Sequence, residues 1–412
     1  MLECGANFSA HALKISYAPD SRNADLHIVP FAPIESLIKL PADRFSCSMW
    51  LGTPVFFKTA GSIPFDLFGA VFFLLARLDE HRQSPLDKHG RFPARSSVFA
   101  GTDILYRPVV DEWLIKIGEL LRLARPELEI KKRTFQWINT FDIDVAYAYR
   151  GRSIGRNFLA TMKNLAQLDL DRIAERFKVL INDGKDPFDT YETQRRLHVQ
   201  ADRTIYFFLN SSASKFDRAL PINRTLKKLI AYVSQYAEVG IHPSYYSKNQ
   251  PDLILKEKRS LETALNSTVI VSRQHYLRLE LPQTMHHLEQ AGIEEDFTLG
   301  FAEFLAFRCG TATPYQFFDP LARRALPVQI FPLHIMDATL RDYLCLIGSD
   351  ALVAAKKIVD LVSNVGGTLC TLWHNDTLSQ SEFPDWYFVY EDLAAYIDQK
   401  RSSLSEMLRS SQ

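Results

Sequence analysis

Two carboxylates, Asp142 and Asp144, end an apolar run that begins at Phe135 and is rich in strand-forming residues. On a strand, residues two apart point to the same face, so both carboxylates should project together while Ile143 turns away. Two like charges side by side are costly unless a cation binds them or one of them carries a proton. The pair therefore indicates a cation site or an acid–base pair, and a turn with two solvated aspartates is the alternative that the pair alone leaves open.

Titratable side chains also follow later runs of β-forming residues. Taken singly, they have ordinary structural explanations, such as a capped turn for His242, a surface ion pair for Arg273 and a core histidine for His374. The whole set stands at successive predicted strand ends: Asp142, Asp144, His242, Arg273, His275, Arg308 and His374. In a β/α barrel the carboxyl ends of the strands meet at one face, so the set predicts a single functional site there.

From about residue 130 onward, strand-like and helix-like segments alternate. The predicted strands are Thr134–Asp142, Thr204–Leu209, Glu238–His242, Val269–Ser272, Phe304–Phe307, Val328–Leu333 and Thr368–Trp373. The predicted helices are Arg156–Leu180, Ile222–Tyr236, Pro251–Leu265, Pro282–Gln290, Asp350–Asn364 and Trp386–Ser403. Such alternation predicts a parallel sheet, and around seven units predict a closed or nearly closed barrel over residues 130–412.

Residues 1–125 have a different pattern and predict a separate, smaller α/β domain. They contain short strand-like runs, a strongly apolar helix with Asp66 as its N-cap, and an amphipathic helix over Asp111–Arg122. A polar loop, Ser84–Phe92, lies between the two helices. Its His89 could act as a metal ligand, but a solvated loop is the simpler interpretation.

Lysine plus arginine and aspartate plus glutamate each number 48 among the 412 residues, so the formal net charge is zero. This balance argues against nucleic acid or an anionic membrane surface as the main partner. The longest apolar run, Leu67–Ala76, is half of the roughly 20 residues that a membrane span needs, and the amino terminus lacks the pattern of a signal peptide. The five cysteines are scattered, which favours a reducing cytoplasm over a disulfide framework or a cysteine zinc site.

Five short motifs follow one another along the chain. They are TFDID (140–144), GIHPS (240–244), SRQHYLRL (272–279), DFTLGFAEFLAFRCGT (296–311) and LWHN (372–375). In this order they resemble the motifs of the polysaccharide deacetylases, the NodB-homology or family-four carbohydrate esterases. The chain is most similar to a divergent bacterial branch whose additional amino-terminal domain has motifs similar to IPFDLFGAVFFLLARLDEH (63–81) and KHGRF (88–92). The resemblance implies a deformed β/α barrel of seven or eight strands.

The resemblance also implies a divalent metal held by one aspartate and two histidines. Asp144 matches the aspartate and His242 the first histidine. The second histidine is expected four residues later, where this sequence has Tyr246. His275, in the next motif, is the nearest candidate replacement. Zinc is the first expectation for the metal, with nickel, cobalt or manganese as alternatives.

The remaining roles are carried over in the same way. Asp142 matches the general base, Arg273 the arginine that orients it, and His374 the late acid that protonates the leaving amine. Arg308 and Tyr276 are the expected substrate-binding residues. The common motif has adjacent aspartates, whereas Ile143 separates them here.

The motifs and the resemblance are compatible with three functions. The first is a metal-dependent hydrolase that removes an N-acyl (acetyl) group from an amino sugar or polysaccharide. The second is a catalytically inactive barrel that binds carbohydrate, which Tyr246 in place of a histidine favours. The third is another carbohydrate-modifying chemistry, such as a lyase, on the same barrel, because a fold does not fix a function. The sugar, the acyl group and the oligomeric state stay open.

Overall fold

The computed structural model describes residues 13–20, 24–82, 84–197, 201–211, 214–218 and 222–410. In its first part the elements are short: β1 (Ile15–Tyr17), β2 (Leu26–Ile28), α1 (Ile34–Leu37), β3 (Ser48–Trp50), β4 (Thr53–Val55), α2 (Leu67–Leu75) and α3 (Val109–Ala124). Strands β1 and β2 pair in parallel, and β3 and β4 form an antiparallel pair. The predicted N-cap of α2 is confirmed, because the Asp66 carboxylate accepts a hydrogen bond from the Gly69 N–H at 2.9 Å.

From residue 136 onward, strands and helices alternate. The strands are β5 (Gln136–Ile143), β6 (Arg203–Leu209), β7 (Glu238–His242), β8 (Val271–Ser272), β9 (Glu295–Asp296), β10 (Tyr315–Asp319), β11 (Arg324–Ile330), β12 (Ile335–Met336) and β13 (Thr368–His374). The helices are α4 (Ile154–Ala166), α5 (Leu170–Leu180), α6 (Tyr191–Leu197), α7 (Arg224–Val233), α8 (Pro251–Leu265), α9 (Gln283–Gln290), α10 (Gly348–Asn364) and α11 (Pro384–Ser410).

These strands form one nine-stranded sheet in the order β10-β11-β9-β8-β7-β6-β5-β13-β12. Every pairing is parallel except β10 with β11. The large parallel sheet is therefore confirmed. Since β5 to β8 are neighbours in sequence order, the carboxyl ends of these strands lie side by side at one edge.

The sheet is curled and not flat, because only a short piece of chain connects a strand near one end of the sheet to the strand at the other end. Strand β11 lies second from one end and β12 forms the other end, with residues 331–334 between them along the chain. That connection spans at most ~18 Å when extended, whereas seven strand spacings in a flat sheet amount to ~34 Å. Among the described residues no pairing joins β10 to β12, so closure of the barrel stays a prediction.

The two faces of the sheet bury different side chains. One face packs on helices, with Trp137 and Phe141 of β5 in the same apolar cluster as residues of α7, α8 and α10. The other face holds a small cluster drawn from strands across the sheet: Ile138, Ile205, Phe207, Val271, Phe297, Phe331 and Cys370. Asp142 and Asp144 share the parity of Ile138 along β5, so they project toward the end of this inner cluster.

Two predicted elements are wrong. The helix expected over Arg156–Leu180 is two helices, α4 and α5, because Leu168 has a left-handed backbone (φ +57°) that ends the first one. The strand expected over Phe304–Phe307 does not form. The Phe307 N–H instead donates to the carbonyl of Leu105 at 2.7 Å, and Ala306 packs into the apolar cluster of the first part of the chain.

That first part has an apolar core of its own, which includes Phe56, Phe73, Trp113 and Ile117. Four cysteines, Cys47, Cys309, Cys345 and Cys370, are free thiols, and Cys4 lies outside the described residues. The described part of the chain contains no helix that is both long and apolar enough to cross a membrane.

Candidate metal centre

Three strands bring the predicted metal ligands to one edge of the sheet. Asp144 follows β5 directly, His242 is the last residue of β7, and His275 lies three residues after β8. Because β5, β7 and β8 run parallel, their carboxyl ends meet at this edge. His275 follows the strand next to that of His242, which is how an imidazole 33 positions later in sequence comes to lie beside it.

The ligand atoms of Asp144, His242 and His275, called the triad below, all lie within 4.8 Å of one another. The two oxygens of Asp144 divide between the two histidines. Its Oδ1 is 3.2 Å from Nε2 of His242, and its Oδ2 is 3.2 Å from Nε2 of His275. Ligand atoms that surround one ion at 2.0–2.2 Å in tetrahedral geometry are themselves about 3.4 Å apart. The spacing of the triad is compatible with a metal ion, and it is also the spacing of hydrogen bonds between the carboxylate and the two imidazoles.

Both imidazoles are held by their other ring nitrogen. Nδ1 of His242 donates to the backbone carbonyl of Arg273 at 2.5 Å, and Nδ1 of His275 donates to Asp217 at 2.8 Å. The Nε2 atom of each ring therefore faces Asp144. Partners of this kind fix the tautomer and the ring orientation of metal-binding histidines.

The charges and unpaired atoms of the triad also fit a divalent cation. Oδ1 of Asp144 is buried and accepts no hydrogen bond. Burial alone would raise the pKa of Asp144, but His275 and His242 hold it well below its usual range. Burial alone would lower the pKa of His275, but Asp144 and Asp217 raise it to about 9. A site that favours positive charge this strongly, with one oxygen and two nitrogen ligands, suits zinc or a neighbouring transition metal.

Asp142 lies beside the triad with a different set of contacts. Its Oδ1 accepts a hydrogen bond from Nη1 of Arg273 at 3.0 Å, and its Oδ2 is 3.6 Å from Nε2 of His242. Arg273 is fully buried, and it also donates to Thr140 at 2.6 Å and to the carbonyl of Phe297 at 3.1 Å. The arginine is thus fixed from three sides and fixes one oxygen of Asp142.

His374, the last residue of β13, approaches the triad from the other side of β5. Its Nε2 is 3.8 Å from Oδ2 of Asp144, and its Nδ1 donates to Asp337 at 2.8 Å. The backbone N–H of His374 donates to the second oxygen of Asp337 at 2.8 Å. Burial alone would lower the pKa of His374, but Asp337 raises it well above its usual range. The ring is therefore held in one orientation, and its surroundings favour the protonated form.

Tyr276 is half-buried next to the triad and forms part of an aromatic wall. Its ring lies 4.7 Å from that of His275, 5.3 Å from Tyr245 and 4.8 Å from His89. His89 comes from the polar loop of the first part of the chain, and its Nδ1 is 3.2 Å from the Tyr245 hydroxyl. The loop Ser84–Phe92, for which solvation is the simpler prediction from the sequence, thus contacts residues beside the candidate site.

Two residues that the sequence analysis singled out, Arg308 and Tyr246, do not lie with the triad. Arg308 is buried, and its guanidinium donates to Glu80 at 2.6 and 2.9 Å and to the carbonyl of Gly300 at 2.9 Å. With its donors engaged in this way, it does not present a free group for a substrate. Tyr246, at the position of the expected second histidine, is half-exposed and contacts Phe216 and Tyr245.

Sequence reasoning missed two residues that orient the site, Asp217 and Asp337. Asp217 also accepts hydrogen bonds from the Tyr245 N–H at 2.9 Å and from Ser214 at 2.7 Å. No motif surrounds it, and its link to His275 depends on the folded chain. Asp337 directly follows β12, so a rule that collects every carboxylate after a strand would have found it.

A family model matches the first part of the chain, and curated proteins do not match the chain. A model of a family of unknown function, DUF7033, matches residues 3–126, which is less than half of the chain. The comparison with curated proteins found no match.

Several solved structures are similar to the chain. A protein from Mycobacterium smegmatis assigned as a polysaccharide deacetylase is 14% identical, with 69% of this chain and 93% of that chain covered and a TM-score of 0.42. A Puue allantoinase is 11% identical, with 65% and 84% covered and a TM-score of 0.38. A protein from Pseudomonas aeruginosa PAO1, also assigned as a polysaccharide deacetylase, is 11% identical, with 64% and 84% covered and a TM-score of 0.39. Because these TM-scores are low, we base neither the fold nor the activity of the chain on them.

Proposed function

We propose that the chain is a metal-dependent hydrolase that removes an N-acyl group, such as acetyl, from an amino sugar or a polysaccharide. The observation that carries this proposal is the convergence of Asp144, His242 and His275, with both imidazoles turned by Nδ1 partners so that Nε2 faces the carboxylate. An oxygen and two nitrogens leave open positions for water and for a substrate carbonyl.

A divalent cation held by the triad would lower the pKa of water and polarise the amide carbonyl. Asp142 would accept the proton of the attacking water, because one of its oxygens is fixed by Arg273 and the other faces the triad. His374 would give a proton to the nitrogen as the carbon–nitrogen bond breaks, and Asp337 would keep its ring oriented. The hydroxyl of the water thus ends on the acyl carbon, the proton of His374 ends on the amine, and the proton taken up by Asp142 passes to His374 through solvent to restore both groups.

Two observations support a sugar as the substrate. The order of the motifs resembles that of the polysaccharide deacetylases. The half-buried rings of His89 and Tyr276 beside the triad are of the kind on which the apolar side of a sugar ring can pack, and the buried ring of Tyr245, covered by Phe216 and Arg278, supports them from behind. We propose Tyr276 as a substrate-binding residue on this basis, and we do not retain Arg308 in that role.

The alternative function is a barrel that binds carbohydrate without turning it over. Tyr246, where the motif expects a histidine, is the feature that favours it. The position of His275 favours the hydrolase, because it supplies the second imidazole from the neighbouring strand.

We also propose that residues 130–412 form a deformed, nearly closed barrel and that residues 1–125 form a separate α/β domain. The curl of the sheet supports the barrel. The separate apolar core of the first part and the family match that ends at residue 126 support the domain.

The experiment that tests the function removes and restores the metal. Purified protein is expected to contain about one equivalent of zinc or a related metal per chain by mass spectrometry. A chelator should abolish release of free amine from N-acetylated oligosaccharides, and zinc, cobalt, nickel or manganese should restore it. Metal without activity on a broad substrate panel would favour the binding function, and absence of any metal affinity would contradict both the site and the reaction.

A further inference from the structure

Helices α4 and α5 form a hairpin, residues 152–181, whose apolar side chains face the solvent. Ile154 is 90% exposed, Leu168 is 81% exposed and Ile181 is 69% exposed. The exposed large apolar side chains of the hairpin are Ile154, Phe158, Leu159, Met162, Leu165, Leu168, Leu170, Phe177, Leu180 and Ile181. In α4 they recur at positions 154, 158, 162 and 165, the spacing of one helix face. An exposed apolar surface of this extent marks an interaction site.

The inner side of the same hairpin buries polar residues beside Val179, which is the one buried apolar side chain of α4 and α5. Asn157 is the buried residue of α4, and Arg176 is buried in α5. Arg176 donates to Thr161 at 2.7 Å and to Asn164 at 2.6 Å, so polar contacts hold the two helices together. The apolar face is therefore not needed to join α4 to α5.

The hairpin also has more basic than acidic residues, although Arg176 is buried, Arg172 pairs with Glu382, and the charge of the whole chain does not predict an anionic partner. It contains six lysines and arginines (Arg152, Arg156, Lys163, Arg172, Arg176 and Lys178) against three acidic residues (Asp169, Asp171 and Glu175), whereas the whole chain has equal numbers. Lys163 and Lys178 are exposed and directly follow the exposed apolar residues Met162 and Phe177. Exposed bulky side chains flanked by lysines are typical of helices that lie in the headgroup region of an anionic membrane.

We propose that this hairpin docks the protein on an anionic lipid surface. Its apolar side chains would enter the boundary between headgroups and acyl chains, while Lys163 and Lys178 would contact anionic headgroups. A second copy of the chain fits less well, because a symmetric pair would bring two surfaces of like charge together. The hairpin is the next pair of helices after β5, the strand that contains Asp142 and directly precedes Asp144, so the docking surface is close in sequence to the candidate site. The proposal does not depend on the proposed reaction.

The test is flotation of the full chain with lipid vesicles at physiological salt. The wild type is expected to float with vesicles of phosphatidylglycerol and phosphatidylcholine and to stay unbound with phosphatidylcholine alone. The double variant Phe158→Ser/Phe177→Ser should bind the anionic vesicles at least about tenfold more weakly. The matched control Leu321→Ser/Ile347→Ser, which removes two side chains of similar exposure outside the hairpin, should bind like the wild type.

A charge variant keeps the test decisive if the serine variant fails to fold. Lys163→Glu/Lys178→Glu leaves the apolar face intact and should weaken binding roughly fivefold or more per charge, with a reduced dependence on salt. The proposal is overturned if the wild type does not float with anionic vesicles, if the serine variant floats equally well, or if neutral vesicles bind as strongly. It is also overturned if sedimentation shows a dimer that Phe158→Ser/Phe177→Ser dissociates, because a second copy then covers the face.

Discussion

Asp142 and Asp144 lie at the carboxyl end of the same strand with Ile143 between them, but they contact different neighbours. Asp142 is 2% exposed and bound to the guanidinium of Arg273, while Asp144 lies between Nε2 of His242 and Nε2 of His275. In the proposed reaction, Asp142 is held by Arg273 through one oxygen and accepts a proton on the other. Asp144, between the two imidazoles, binds the cation. The two aspartates should therefore respond differently to the same substitution.

Replacing each aspartate by asparagine separates the two roles. Asp142→Asn should abolish turnover while the metal stays bound, because an amide cannot accept the proton of water. Asp144→Asn should lose both metal and turnover, because one of three ligands is weakened. Metal content by mass spectrometry is measured beside amine release for each variant. Equal loss of metal in both variants would contradict this division of roles.

His374 should act on the rate and not on the metal. His374→Ala is expected to keep the metal and to slow amine release by roughly 10²–10⁴-fold, the usual contribution of one positioned acid. His287→Ala serves as the control, because it removes a half-buried imidazole of α9 that bonds to the carbonyl of Lys248. If His374→Ala releases the metal, then His374 is a ligand and the proposed acid must be sought elsewhere.

The sequence predicted the residues of the candidate site better than the residues that hold them in place by hydrogen bonds. Asp144, His242 and His275 could be selected because carboxylates and imidazoles at strand ends are unusual and their strands are clear. Asp217 could not, because its hydrogen bond to His275 exists only after a segment 58 residues away in sequence folds back. Asp337 follows a strand as the triad residues do, but that strand, β12, has only two residues and was not predicted. Arg308 was selected for the same reason as the triad, but a buried carboxylate, Glu80, engages it.

At the scale of elements, long buried strands and capped helices were predictable, and very short strands were not. Strand β7 and helix α8 have the predicted bounds, because each has a continuous pattern and a clear start. Strands β9 and β12 have two residues each, which is too short for any periodicity to show. The segment around Phe304 has strand-like composition, yet contacts with another part of the chain decide its structure.

The loop that carries His89 is an element whose role depends on the whole fold. Arg91 fastens it, since the guanidinium donates to Asp87 at 2.7 Å, to the carbonyl of Tyr276 at 3.0 Å and to the Tyr343 hydroxyl at 2.9 Å. The loop thereby holds His89 against the ring of Tyr276. If the aromatic wall binds the sugar, this loop belongs to the substrate site.

Removing the imidazole of His89 should therefore weaken substrate binding. His89→Ala is expected to raise KM by about 3- to 10-fold, the worth of one ring contact, with kcat and metal content near those of the wild type. Lys88→Ala, an exposed neighbour in the same loop, is the control. An unchanged KM for His89→Ala across oligosaccharides of different length would show that the loop lies outside the substrate site.

At the scale of the whole molecule, a buried ionic network joins the first part of the chain to the segment after β9. Glu80 pairs with Arg308 at 2.6 Å and with Arg77 at 2.8 Å, and Arg77 also pairs with Asp79 at 2.9 Å. Arg77 donates in addition to the carbonyl of Arg308. All four side chains are almost completely buried, so each depends on its partners for compensation of its charge.

Glu80 is the member of this network whose loss should affect stability most clearly. Glu80→Gln removes a carboxylate shared by Arg77 and Arg308 and should lower the free energy of unfolding by about 3 kcal/mol at pH 7, because two buried cations are left short of charge. Chemical denaturation measures the difference, and Glu119→Gln on the exposed side of α3 is the control.

The pH dependence of the same variant gives an independent check of the network. Burial alone would raise the pKa of Glu80, but Arg308 and Arg77 lower it to about 2. A pKa lower in the folded than in the unfolded chain, where it is about 4.3, contributes stability above pH ~4.3 that is lost as the pH falls toward 2. The difference in unfolding free energy between the wild type and Glu80→Gln should therefore be constant from pH 7 to 5 and shrink below pH 4. A difference that does not change between pH 7 and 3 would mean that the Glu80 carboxylate does not hold its two arginines in solution.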